Sequence, residues 1–501
     1  MILFILVLII AVLWTVHFRF KRRRLYTLAS KISRSKDELP FIGISHKLVG
    51  NSEDIMNTFK QFSYEAMNTN GALGIWITNR FYSVMVNPMD LEVVLKTCLE
   101  KDDLLRFTQD VIGNGSIFAP VPIWRSRRKV IAAALNSKVV DNLIEIRAEQ
   151  RQKLAQKLSS ICGPEPDNIW PVLSAYTLDS LYESMMAIKM QTNENIQVTT
   201  CMEFLFNAVM YRTFHIWLHP ECLFRLFTQY TTYQKYRQFL YDLIDKSICK
   251  IKNETQSKKH LHDFCDKRKS IVELMINISS GKKQFTDLEL REEFLVIAAA
   301  GSDTTAGTIG FTLMLLGKYP DVQQKVHEEM EEVFGDSKRP LEKEDLPNLK
   351  YLERVVKESL RLFPPAPFIL RKVETDFTCP SGLIIPSGSG IMVSIFGVHR
   401  DPKYWGPDVE HFDPDRFLPE RFNLQHACSY MPFSNGPRNC IGYRYGFVSV
   451  MTALTFILRD FKVVGEPEKR PVPNIRLKLE VTMKAVEGYN VQLEKRIPTQ
   501  G

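Results

Sequence analysis

The chain has no CxxC pair. Its nine cysteines, Cys98, Cys162, Cys201, Cys222, Cys249, Cys265, Cys379, Cys428 and Cys440, are odd in number and scattered, which argues against both a zinc ribbon and a disulfide framework and places the bulk of the chain in a reducing compartment. The ten histidines show no ligand spacing, so core or surface roles are expected for them. There is no dinucleotide fingerprint and no flavin segment. Gly113-Asn114-Gly115-Ser116 is too short for a nucleotide loop and reads as a flexible loop. No repeat or low-complexity tract divides the sequence, and nothing in it resembles a nucleic-acid-binding module. Charge of one sign is also scarce. Lys+Arg 65 against Asp+Glu 57 leaves +8, which suits an acidic protein partner or an anionic membrane surface better than nucleic acid.

What is present is length and apolar mass. With 501 residues, 45% of them hydrophobic, the chain can bury a large core. Met1 to Trp14 is an unbroken apolar run, extended to Phe18 and stopped by Arg19, Lys21, Arg22, Arg23 and Arg24. That is about one membrane span, and the charges follow the run with none before it, so positive-inside bias puts the N-terminus outside and the rest in the cytoplasm. A cleaved signal peptide would want a basic n-region and a small-residue cleavage site, which this run lacks. Glycosylation triplets at Asn114, Asn253 and Asn277 would be modified only on the luminal side and read as chance.

The expected organisation is an anchor over 1–20, a basic and Pro/Gly-punctuated linker over 21–50, and one domain over 51–498. Ala72 to Thr78 and Phe81 to Val86 read as a hairpin of apolar strands. Beyond Pro88 helical periodicity dominates, near Val139 to Ile161, Ile196 to Trp217, Leu226 to Ile251 and Asp287 to Lys318. Strand signals return at Phe368 to Val373, Leu383 to Ile385, Ile391 to Ile395 and near the C-terminus. A mainly α body with small β-sheets follows.

The most specific stretch is Phe433-Ser434-Asn435-Gly436-Pro437-Arg438-Asn439-Cys440-Ile441-Gly442. It reads as a tight loop ending in a metal-binding thiolate at the mouth of a helix. A cysteine ligates iron only as the anion, and the unpaired first-turn N–H groups after Ile441 would lower its pKa. Gly436 and Gly442 would permit the bend and the close approach of a flat ligand, and Arg438 would reach an anionic group on that ligand's rim. The pattern resembles the cysteine loop of the haem-thiolate monooxygenases, the cytochrome P450 superfamily. The resemblance implies a helical triangular prism with haem b, noncovalent and ligated by Cys440, held between two helices.

A second site lies inside the apolar run Asp287 to Lys318. Ala300-Gly301-Ser302-Asp303-Thr304-Thr305 puts an acid and hydroxyls where they are expensive unless used. Gly301 would open space beside the helix for a small ligand, at about 1 kcal/mol relative to Ala. Thr304 could divert a backbone bond. The segment is similar to the family's oxygen-binding motif, which implies that Asp303 and Thr304 relay the two protons that O2 activation consumes. Members of the fatty-acid-hydroxylating clan often carry Glu at the position of Ala300, which can be esterified to the haem; Ala300 implies a noncovalent haem here.

Glu358 and Arg361 stand at i,i+3 on a helix that ends before Pro364-Pro365, so they project from one face. With Arg416 they resemble the family's Glu-Arg-Arg network, a scaffold for the cysteine loop. Trp124, Arg128 and Arg371 resemble its haem-propionate contacts, beside Phe433 and Arg438 of the loop. Arg125, Arg127, Arg128 and Lys129 make one helix strongly basic. Such a run is usually a solvated face; here part of it would dock an acidic redox partner, and the resemblance implies NADPH-cytochrome P450 reductase, with cytochrome b5 as a second donor.

The segments that line the pocket in this family give Phe107, Phe118, Phe206, Met210, Phe294, Val296, Ile297, Ala300, Phe368 and Ile369, an apolar and aromatic set that implies a lipophilic substrate. The run from Asn348 through Arg371, with His399-Arg400-Asp401-Pro402 and Trp405-Gly406-Pro407-Asp408, looks most like insect members of the microsomal clan that oxidises fatty acids, hydrocarbons and other long aliphatic compounds. The reading is an endoplasmic-reticulum monooxygenase, catalytic domain in the cytoplasm. The rivals are a haem-thiolate isomerase or dehydratase acting on peroxides, against which Asp303 and Thr304 count, and a noncatalytic haem-binding protein.

Overall fold

The longest apolar stretch of the chain folds as one uninterrupted helix, and the rest of the molecule is arranged around it. In the computed structural model, which describes Leu13 and residues 17–135, 150–186, 188–260, 273, 275, 285–335, 337, 339–422, 426–468 and 471–496, Asp287–Lys318 is continuous, with no kink between two shorter helices. Its start is set locally: the Thr286 hydroxyl accepts from the Glu289 N–H at 3.2 Å while the Glu289 carboxylate accepts from the Thr286 N–H at 2.9 Å, a reciprocal cap that satisfies two first-turn donors. Among the described residues it is the one helix long and apolar enough to cross a membrane, but 72% of its most apolar window is buried in the protein. It is a core helix. The run Met1 to Trp14 lies outside the described residues except for Leu13, as do Cys265, Asn277 and residues 136–149 of the helix expected near Val139; 150–160 are helical.

The longer helices used below are α1 (Ser52–Asn68), α2 (Pro88–Thr97), α3 (Arg106–Ile112), α4 (Val121–Ala134), α5 (Trp170–Met186), α6 (Thr192–Phe214), α7 (Tyr230–His260), α8 (Asp287–Lys318), α9 (Lys350–Leu362) and α10 (Tyr443–Asp460). α8 packs on α5, α7, α9 and α10. Two large apolar clusters meet along it, one built with α1, α9, α10 and the sheets, the other with α5, α6 and α7.

The hairpin is β1 (Ala72–Ile77) and β2 (Arg80–Met85), antiparallel from Ala72 opposite Met85 to Ile77 opposite Arg80. β3 (Phe368–Lys372) and β4 (Gly390–Ser394) complete a four-stranded sheet in the order β1-β2-β4-β3, with β2 and β4 parallel. Near the C-terminus, β5 (Phe461–Val464) pairs with β8 (Asn490–Lys495). β6 (Leu477–Leu479) and β7 (Met483–Ala485) form a separate hairpin that touches α8. A mainly helical body with small sheets is what results.

Candidate functional site

Cys440 closes the loop that leads into α10. Its N–H donates to the Phe433 carbonyl at 2.9 Å, and the bend between them places Ser434 at φ 60 and Gly436 at φ 75. A Cβ on Gly436 would stand 2.4 Å from the carbonyl oxygen of Leu95 in α2, whereas one on Gly442 would meet nothing within 4 Å. Gly436 therefore permits the bend and the seating of the loop on α2, while Gly442 leaves open space beside the loop. Burial pushes the Cys440 thiol up, and the Gly442 amide and Arg128 pull it down without reversing the shift. The protein's own groups thus hold this thiol above its ordinary value where the sequence predicted a lowered one; a bound metal would supply the deprotonation. Cys440 and Lys101 both lie deep in the molecule yet retain accessible surface, as side chains bordering an internal cleft do.

Cations collect beside that cysteine. Arg128 donates to the Asn439 carbonyl at 2.8 Å and side-chain oxygen at 2.5 Å. Arg438 lies over the Trp124 ring at 4.5 Å and donates to Ala119 O at 2.5 Å. Arg371 is 1% exposed with one bond, to Leu370 O at 3.1 Å. The Nε of Arg371 and of Arg438 is buried without a partner, and among the described residues neither side chain pairs with a carboxylate. Burial, with repulsion from Arg438 on Arg371 and from Arg128 on Arg438, brings both guanidinium groups down to about 10 although Glu100 draws Arg438 back up, and burial brings Lys101 well below its ordinary value. Buried cations with no carboxylate in contact are costly. The set fits a ligand that brings its own carboxylates, as haem does with two propionates, and the residues present fit that group. Lys101 was not singled out from the sequence, because Glu100-Lys101-Asp102-Asp103 looks like a solvated charge run.

Along the mostly buried middle of α8, Ile297, Ala300, Gly301 and Thr304 keep partial exposure at i, i+3, i+4 and i+7, a stripe on one face of the helix. The Thr304 hydroxyl donates to the Ala300 carbonyl at 2.6 Å. Asp303 points off this stripe: Thr482 donates to its Oδ2 at 2.5 Å, and Lys484 Nζ stands 3.0 Å from its Oδ1. A Cβ on Gly301 would stand 2.2 Å from the side-chain tip of Leu181 of α5, so the missing Cβ leaves room between the stripe and that leucine.

Glu358 and Arg361 are both fully buried, joined by Nε–Oε2 and Nη2–Oε1 contacts of 2.7 Å. Arg361 also donates to the carbonyls of His399, Val409 and His411, and Arg416 reaches Glu358 at 3.5 Å and Asp408 at 2.7 Å. The structure brings all three together. His399, missed as a site residue, ties this network to the cysteine segment: its Nε2 accepts from Met431 N–H at 2.9 Å and its Nδ1 donates to Arg361 O at 3.2 Å. Burial and the two neighbouring arginines hold its pKa down to about 3.

Three further sequence expectations need correction. Arg127 does not join the basic docking face: it turns inward onto Glu292 at 2.9 Å, Glu293 at 3.2 Å and Glu289 at 3.5 Å, leaving Arg125 and Lys129 exposed. The loop Gly113–Ser116 is pinned, Asn114 N–H donating to Glu292 at 2.9 Å and Ser116 N–H to Glu293 at 3.1 Å. Of the supposed pocket walls, Phe294 is fully buried in the core, with Phe107 at 3% and Val296 at 5% exposure packed nearly as tightly; Phe206 lines a small cavity with Asp303. Phe118, Met210, Ile297, Ala300, Phe368 and Ile369 keep partial exposure.

A sequence model of the family described as Cytochrome P450 matches residues 34–491. Among curated proteins, the chain is 28% identical to Cytochrome P450 4c3 of Drosophila melanogaster, over 95% of this chain and 91% of that protein. It is 29% identical to Cytochrome P450 4V2 of Homo sapiens over 85% and 82%, and 28% identical to Cytochrome P450 4c21 of Blattella germanica over 91% and 92%.

Proposed function

The chain belongs to the cytochrome P450 family and is a haem-dependent monooxygenase; on that premise we propose that it oxidises a long aliphatic, olefinic or terpenoid substrate with electrons drawn from NADPH through a separate reductase. The reaction balances as substrate + O2 + NADPH + H+ giving hydroxylated or epoxidised product + H2O + NADP+. What supports the reading is the cysteine loop and its cations: Cys440 lies deep yet accessible, with Arg128 bonded to Asn439 beside it and Arg438 over Trp124, and among the described residues Arg371 and Arg438 contact no carboxylate.

Haem, when bound, supplies the O2 chemistry, its axial thiolate favouring O–O cleavage. Cys440 would be that ligand. Arg371, Arg438, Arg128 and Lys101 would hold the propionates beside Trp124, with Phe433 against the proximal loop. Ile297, Ala300, Phe118, Phe368 and Ile369 would exclude water and seat an apolar substrate near Thr304. Thr304 would pass protons at its hydroxyl, resupplied by Asp303. Arg125 and Lys129 would meet the acidic face of the reductase, with cytochrome b5 as a second donor. The apolar N-terminal run would anchor the chain in the endoplasmic reticulum membrane, and the side chains of Phe41 and Leu226, 89% and 78% exposed, are of the kind a headgroup layer covers.

The test is spectroscopic. Replacing Cys440 by Ala should abolish the red-shifted carbon-monoxide difference band of the reduced holoprotein, and its retention would assign the ligand elsewhere. The wild-type enzyme with reductase and NADPH should oxidise some member of a panel of fatty acids, alkenes and terpenoids in step with NADPH use.

A further inference from the structure

Asp303 is held by a segment that no sequence motif connects to it. Both of its oxygens are engaged by the β6–β7 hairpin, through the Thr482 hydroxyl and the Lys484 ammonium. Lys484 is 8% exposed, pairs also with Glu480 at 3.2 Å, and lies 4.2 Å above the Trp170 ring of α5. Trp170 in turn donates its indole N–H to Glu203 of α6 and stacks on Tyr489 at 5.2 Å. The Tyr489 hydroxyl is buried with no hydrogen-bond partner among the described residues, 3.4 Å from where a Cβ on Gly307 of α8 would stand, one turn beyond Asp303.

On the same side of α8, Thr199, Glu203, Ser302 and Asp303 border a cavity of about 20 Å³, enough for one water with polar partners. The charges facing Asp303 are therefore Lys484 and Glu480 from the hairpin and Glu203 from α6, with Lys478 2.9 Å from Glu480; Tyr489 adds a neutral hydroxyl. Burial alone would depress the Lys484 ammonium, but Asp303 and Glu480 outweigh it and hold it above its ordinary value. So buried an ion pair is a weak device for stability, since desolvation offsets its attraction. Its clearer effect is on the direction of the acid itself.

Building on the reading of Asp303 as the acid that resupplies Thr304, we propose that Lys484 is a positioning residue for Asp303: with Thr482 it holds the carboxylate turned to the Glu203 cavity, from which it draws protons, and not toward the substrate stripe. Proton supply then depends on the C-terminal hairpin, on the far side of α8 from the substrate. The transfer balances without a further reactant: a solvent proton moves to the Asp303 carboxylate, and that carboxyl returns to the anion when the proton passes to the Thr304 side.

The experiment compares Lys484→Met, Lys484→Arg and Asp303→Asn in the reductase-coupled holoenzyme, measuring product formed per NADPH against pH. An anion that loses a neighbouring cation is less favoured, so Lys484→Met should move the midpoint of the coupling profile upward, and Lys484→Arg should restore it. Turnover driven by hydrogen peroxide, which brings oxygen, electrons and protons together, should fall less in Lys484→Met than turnover driven by NADPH. In denaturant unfolding, Asp303→Asn and Lys484→Met should be non-additive by about tenfold in the unfolding constant. If Asp303→Asn leaves coupling as in the wild type, the assignment of the acid fails. If it uncouples but Lys484→Met keeps the wild-type pH profile and the two changes add, the positioning role alone is overturned. Equal loss of peroxide-driven and NADPH-driven turnover in Lys484→Met would make Lys484 merely structural.

Discussion

Arg127→Met tests whether the basic helix is divided as the structure places it. Arg127 is 7% exposed on its side chain, and the two carboxylates nearest it, Glu292 and Glu293, are 9% and 0% exposed. It also donates to the Asn114 carbonyl at 2.6 Å. Removing one partner of a buried ion pair leaves the other uncompensated, at about 3–5 kcal/mol; Glu289, a quarter exposed, adds little because water screens it. A loss of about 4 kcal/mol at pH 7.5 is a large part of the roughly 5–15 kcal/mol that holds a domain folded. The pH dependence has a definite sign. Burial holds the Glu293 carboxyl above its ordinary value even with Arg127 present, and a carboxyl with a raised folded pKa contributes stability below its unfolded pKa that is lost as pH rises through the folded one. Without Arg127 that folded pKa climbs further, so the variant's deficit should shrink between pH 7.5 and pH 5. Glu293→Gln in the Arg127→Met background should recover roughly half of it. Guanidinium unfolding followed by circular dichroism at the two pH values measures this. A deficit under about 1 kcal/mol at pH 7.5, or one of equal size at both pH values, would refute the reasoning.

Three further outcomes are expected. Gly301→Val should destabilise by about 1–3 kcal/mol through overpacking on Leu181, and Leu181→Ala in the same chain should return part of that in thermal unfolding. His399, held neutral with a pKa of about 3, contributes stability present above its unfolded value near 6.5 and lost as pH falls toward 3; His399→Gln should flatten the acid limb of the stability curve between those limits. Thr304→Ala should retain bound haem by absorbance and release more peroxide per NADPH, and unchanged coupling would remove Thr304 from the proton path.

What could be read in advance was local. Asp287 to Lys318 was legible at both ends because its cap is made by neighbours, Thr286 and Glu289, and its far end by Pro320. Glu358 and Arg361 were legible because helix geometry puts i and i+3 on one face. The cysteine loop carried its own pattern. What stayed hidden depends on partners far along the chain. Arg127 looks like its basic neighbours until Glu289 to Glu293 are brought against it, and the glycines at 113 and 115 look mobile until the same carboxylates take the loop's amides. Lys484 sits in an ordinary short strand, 181 positions beyond the acid it holds. The neighbour of Gly301 was hidden for the same reason: Leu181, whose tip reaches the place of its missing Cβ, comes from another helix.

The parallel pairing of β2 with β4 joins Tyr82 to Gly390 and Met85 to Val393. While the chain leaves the ribosome, one flank of the early hairpin stays bare until Gly390 to Val393, about three hundred residues later, have emerged. Unpaired strand flanks invite aggregation, so nascent-chain intermediates stalled before Gly390 should be the forms that chaperones hold. Truncated transcripts ending there should give insoluble polypeptide, however well their helices form.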